Sequence, residues 1–143
     1  MKLRPAWFYN QSGVIPYRLT NEVLEIMLIT SSRRARWIIP KGIVDAGSTP
    51  EESALKEAYE EAGIKGEAFT QELGEYEYEK WGGVCKVKVY LMRVESVLER
   101  WPESGARDRR WMTVEEAASM VKEAKLKELI LSVPHSLARL KLL

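Results

Sequence analysis

The sequence predicts an α/β sandwich, in which helices flank a mixed β-sheet. Three observations carry that prediction. Runs of aliphatic and β-branched residues at 11–19, 23–30 and 84–94 read as strands. A helix with clear ends, 50–63, interrupts them, and the last thirty residues are helical in pattern. A chain of 143 residues has room for one core and not two, so residues 1–143 are expected to form a single domain.

In chain order, 11–19 is a strand turning at Thr20-Asn21-Glu22 into the mostly buried strand 23–30. Ser31 to Arg36 is a basic loop, and Trp37-Ile38-Ile39 starts a third strand. Thr49 is an N-cap, Pro50 suits the first helical position, and Glu52 completes a capping box. Gly63 ends that helix as a left-handed C-cap. Strands follow at 68–78 and 84–94, turning at Trp81-Gly82-Gly83. Arg109 to Met112 is a short strand, Thr113 with Glu116 forms a second capping box, and 114–143 is helical with an interruption near Pro134.

Composition excludes several classes. A net charge of +1 provides no global field for nucleic acid or a membrane surface, so no stable nucleic-acid partner is expected. The single cysteine, Cys85, excludes an internal disulfide and suits a reducing compartment. No apolar run approaches the roughly 20 residues of a membrane span, and Met1 to Pro5 lacks a leader's apolar stretch. The expected location is cytoplasmic; oligomerisation is open.

The chemistry is expected on the 50–63 helix. At about 100° per residue, Glu57, Glu60 and Glu61 share one sector, while Ala54, Leu55, Ala58, Tyr59 and Ala62 share the other side. Like charges at this spacing are unfavourable, and more so near a helix C-terminus. A hard divalent cation reverses that, because Mg²⁺ takes oxygen ligands and bridges carboxylates to phosphates. A solvated acidic face explains the helix alone equally well. The preceding loop, with Lys41-Gly42 at its mouth, tips the balance: a backbone carbonyl there suits a metal and the lysine suits a phosphate.

This stretch resembles the Nudix box. Gly42 matches its first glycine, and Lys56-Glu57-Ala58-Tyr59-Glu60-Glu61-Ala62-Gly63-Ile64 matches its second half in register. Ser48 replaces the first glutamate, Lys56 the arginine, and Ala58 a bulkier residue, which together imply the loss of one supporting ion pair. Ser12 to Arg18, Arg36 to Gly42 and Arg109 to Ala117 are similar to the diphosphoinositol and diadenosine polyphosphate phosphohydrolase branch. Some members carry a further metal-binding glutamate where this chain has Arg110; here that carboxylate is absent or supplied elsewhere, with Glu103 a candidate.

The resemblance implies a Nudix-type α/β/α sandwich and a Mg²⁺-dependent hydrolase of diphosphate linkages, with Mn²⁺ as the other candidate. Glu57, Glu60, Glu61 and the Gly42 carbonyl would hold the metal, and one of the glutamates would act as general base. Arg18, Arg36 and Lys41 would bind the small phosphorylated substrate. A dinucleoside polyphosphate is the expected substrate; a diphosphoinositol polyphosphate is the alternative. A nucleotide sensor without turnover and a purely structural domain are the other readings.

Overall fold

The computed structural model describes residues 8–80 and 82–142. The expectations for Met1 to Pro5 and for Trp81 lie outside the described residues.

Strands β1 (Phe8–Thr20) and β2 (Val23–Thr30) form a hairpin whose turn residues Asn21 and Glu22 have φ of 50° and 66°, the backbone that a tight two-residue connection requires. Short strands β3 (Trp37–Ile38) and β4 (Lys41–Ile43) lead to helix α1 (Pro50–Glu57), which runs into a π-helical turn, Ala58–Ala62. Then come β5 (Ile64–Ala68), β6 (Gly74–Lys80), β7 (Gly83–Val97) and β8 (Arg109–Thr113), and helices α2 (Val114–Met120), α3 (Ala124–Leu131) and α4 (Val133–Arg139).

The sheet is mixed, as expected. β7 lies parallel to β1 and antiparallel to β5 and β6. β1 pairs with β2 only over residues 17–20, while its other end, 11–13, pairs with β4. Beyond Tyr17 the two strands therefore part, and a cleft opens between them.

Side chains alternate between the two faces of the sheet. Ile15, Leu28 and Leu91 face α2 to α4, packing with Leu126, Ile130, Val133 and Leu137. Val14, Met27 and Met92 face α1, where Ala54, Ala58 and Ala62 are fully buried. Small side chains at every fourth position let α1 and its π turn lie close to the strands.

Several boundaries differ from the sequence reading. The 50–63 helix is not α-helical throughout: its last turn is π, ended by Gly63 at φ 65°. The strand expected at 68–78 is two strands, separated at 69–73, and β5 begins immediately after Gly63. Gly66 sits at a bulge in β5, and irregular pairing of this kind leaves no clean alternation to read. The C-terminal region is three helices. Buried Val121 takes extended backbone and stops α2, and Pro134 helps to start α4. At Thr113 only half a capping box forms: its hydroxyl accepts from Glu116 N, but the Glu116 carboxylate goes to Arg110 at 2.8 Å. At Thr49 both bonds are present. No helix among the described residues is long and apolar enough to cross a membrane.

Candidate active site

Where β1 and β2 part, a cleft of about 380 Å³ is lined by side chains that include Gln11, Arg36, Lys41, Asp45, Glu57, Glu61, Tyr78, Lys80 and Arg107. A larger groove of about 590 Å³, between residues 69–73 and the end of α4, has Glu72 as its one carboxylate. The paired acids are in the smaller cleft.

The π turn decides which glutamates enter it. Gly63 N bonds to both Ala58 O and Tyr59 O, so the turn holds one residue more than an α-turn. Glu57 and Glu61, four apart, both line the cleft. Glu60 is turned aside, partly exposed, with Lys56 Nζ 4.0 Å away. Among the described residues, no three histidine, cysteine, aspartate or glutamate groups converge tightly enough to form a metal site by themselves.

The turn is held from outside. Glu103 N donates to Glu60 O, Trp101 Nε1 to Glu61 O, Arg109 Nη1 to Ala62 O, and Leu98 N to Gly63 O, all at 2.8–3.0 Å. Four carbonyls that a helix end leaves unsatisfied are thus each given a donor. These donors also oppose the negative end of the helix dipole, which eases the presence of two glutamates there. Gly63 is needed twice over: its φ is left-handed, and a Cβ would come within 2.7 Å of Trp101 Cβ.

Glu61 is only 7% exposed. Its Oε1 accepts from the Lys41 backbone N–H at 3.1 Å, and Oε2 lies 3.6 Å from Arg107 Nη2. Burial still pushes its carboxyl up to about 7, outweighing the attraction of Arg107 and Lys41. Glu57 is raised too, by burial and then by the charge of Glu60. Burial drives the Lys41 ammonium down to about 8 against the pull of Glu61. The Glu57 carboxylate lies where a side chain on Gly42 would be, so a Cβ there would run into Glu57 Cδ and Oε2.

The expected residues do not all converge. Lys41 and Arg36 line the cleft, but Arg18 is not brought to it. Arg18 lies at the far end of β1, pairing with Glu25 at 2.8 Å and stacking on Trp111. Lys56 is not left without an acid by the change at Ser48: Asp45 takes it at 3.1 Å. Glu103, the candidate fourth carboxylate, is bound by Arg107 at 2.7 Å.

Arg107 was not legible as a cleft residue. Its side chain is 12% exposed and also donates to Thr30 O at 3.1 Å, fastening the 98–108 loop to the end of β2. Its i,i+4 pair with Glu103 is local, but the partners that bring it to the cleft are 46 and 77 residues away. Tyr78 lines the cleft, with its hydroxyl donating to Gln11 Oε1 at 2.7 Å and Lys41 Nζ 5.1 Å from its ring centre. Tyr76, its neighbour on the same face, is core.

A mixed sheet between two helical layers, with a glycine-mouthed loop and an acidic helix at one cleft, is the architecture of a Nudix domain. The NUDIX domain model matches residues 10–131, and the chain belongs to that family. It is 32% identical over 135 residues to Nudix hydrolase 16, mitochondrial, of Arabidopsis thaliana, covering 82% of this chain and 74% of that one. It is 33% identical over 120 residues to the human diphosphoinositol polyphosphate phosphohydrolase 3-alpha, covering 82% and 71%. The chain spans 60–74% of the length of the first plant relatives it matches. Its fold is that of the C. elegans Ap4A hydrolase, with a TM-score of 0.76 at 23% identity, covering 92% of this chain and 99% of that one. The family match and these named hydrolases support a hydrolase acting on phosphoric anhydrides.

Proposed function

We propose that this protein hydrolyses a diphosphate linkage in a nucleoside-linked compound, a dinucleoside polyphosphate such as diadenosine polyphosphate, with Mg²⁺ (or Mn²⁺) bound. The observation that carries the reading is the placement of Glu57 and Glu61 together in a cleft whose other walls present Arg36, Lys41, Lys80 and Arg107.

The donor set fits a hard cation. Two cleft carboxylates and the Gly42 carbonyl offer only oxygen, and Mg²⁺ commonly takes one or two carboxylates with water and substrate phosphate. The close seat of Glu57 on Gly42 brings carboxylate and loop backbone together. The ion supplies charge neutralisation at the phosphate and a water of lowered pKa. The chain's own residues do the rest. Lys41 and Arg36 bind and orient phosphate oxygens, Tyr78 offers a ring to a nucleoside base, and one glutamate accepts the proton of the attacking water. Glu60 is turned from the cleft, so Glu57 or Glu61 is our assignment for that proton. A buried, unpaired Cys85 supports a reducing, cytoplasmic setting.

The test is metal-dependent hydrolysis of diadenosine polyphosphates beside a diphosphoinositol polyphosphate, for wild type and three variants. Glu57→Gln and Glu61→Gln are expected to weaken Mg²⁺ binding and turnover together. Glu60→Gln, outside the cleft, should change both much less. Full activity in Glu57→Gln and Glu61→Gln overturns the reading. Preference for the diphosphoinositol substrate moves the assignment to that chemistry, which a human relative's name carries. Tight nucleotide binding without turnover makes the protein a sensor.

A further inference from the structure

Behind Arg36, which lines the cleft, stands an anion that the proposed chemistry does not use. Arg36 Nη1 donates to Glu123 Oε2 at 2.8 Å, across 87 residues of sequence. Glu123 is 14% exposed at its side chain and stands at the N-cap of α3, where it makes no side-chain capping bond. Thr49 and Thr113 cap their own helices, whereas the side chain at this helix start is turned to a cleft arginine. Its backbone is fixed by Lys127 N bonding to Glu123 O at 3.0 Å and by buried Val121 two residues before it. Its charge also reaches Lys41. Two of the cations that face the phosphates therefore share a protein carboxylate.

We propose that Glu123 is a specificity-determining residue, which neutralises Arg36 and so confines the cleft to a short phosphate chain attached to a nucleoside. This rests on the function proposed above and deepens it. A linear polyphosphate meets the metal, Lys41 and an Arg36 whose charge is shared with Glu123, and needs little further positive charge. A densely phosphorylated polyol places phosphates all round one ring, and to hold them all the cleft must strip Arg36 from Glu123. Like charges brought together across an interface discriminate against the wrong ligand more than matched charges strengthen the right one.

The experiment measures dissociation constants by calorimetry for inositol hexakisphosphate and for a methylene-bridged diadenosine tetraphosphate, neither of which turns over. The proteins are wild type, Glu123→Gln, Arg36→Gln and the double variant. Glu128→Gln, on the exposed face of α3, controls for net charge. Glu123→Gln should shift the affinity ratio about tenfold toward the inositol phosphate. The shift should vanish when Arg36 is already Gln, and Glu128→Gln should give none. An unchanged ratio in Glu123→Gln, or an equal shift in the Arg36→Gln background, overturns the proposal. So does the absence of inositol hexakisphosphate binding by Glu123→Gln. Failure of the wild type to hydrolyse diadenosine polyphosphates overturns the proposed function separately, because the ratio is read without turnover.

Discussion

The two faces of the sheet are covered in contrasting ways. The layer of α2 to α4 presents large aliphatic side chains to the sheet, among them Leu126, Ile130 and Leu137, with 0% exposure. The layer of α1 and its π turn presents three alanines, and at the rim a buried glutamate. The first layer removes much apolar surface from water, at about 25 cal/mol per Å². The second removes less and takes on buried charge, which disfavours folding unless it is paired. The difference teaches that one layer holds the domain together while the other is set close to the sheet so that Glu57 and Glu61 are aimed into the cleft.

The largest expected effect comes from breaking the holding layer. Leu137→Ala should cost about 2–5 kcal/mol in chemical denaturation, while kcat of the protein that remains folded is unchanged. A comparable loss of kcat without loss of stability would erase the contrast. Next is Gly42→Ala on the other side. The new Cβ meets only the far end of the Glu57 side chain, so the fold should survive while that carboxylate is displaced. Mg²⁺ affinity is expected to fall about 10–100-fold, the usual scale for disturbing a ligand's support, with a midpoint of unfolding close to wild type.

The smallest effect is in pH. The Glu61 carboxyl stands at about 7 in the folded protein against an ordinary 4.5. Between those values the native state binds more protons than the unfolded chain, so this group makes stability fall as pH rises through the window. Glu57, also raised, acts in the same direction. Denaturation in EDTA at pH 5 and pH 7.5 should show the decline, and Glu61→Gln should flatten it. A slope unchanged in that variant would mean that the buried charge lies elsewhere.

Much of this was legible. The capping box at Thr49, the alanine stripe and the strand at 23–30 are local patterns, and local patterns survive into the structure. What was not legible depends on distant partners. The π turn owes its shape to donors from Leu98, Trp101, Glu103 and Arg109, which no reading of residues 50–63 contains. Arg18 is expected at the phosphates because an arginine fork suits phosphate oxygens, provided that its part of the first strand meets the box loop. It is the opposite end of β1 that pairs with β4, and Arg18 is carried away with the other half. Asp45 replaced the acid missing at Ser48 from another point on the same loop.

The four donors on the carbonyls of residues 60–63 have a consequence for the order in which the protein comes into being. A ribosome delivers the chain from its N-terminus, so the acidic helix is made well before the segment that splints its end. Until residues 98–109 have emerged, Glu60 O to Gly63 O have only water to bond. The two glutamates then have no fixed direction, and the geometry of the cleft is among the last things the nascent protein acquires.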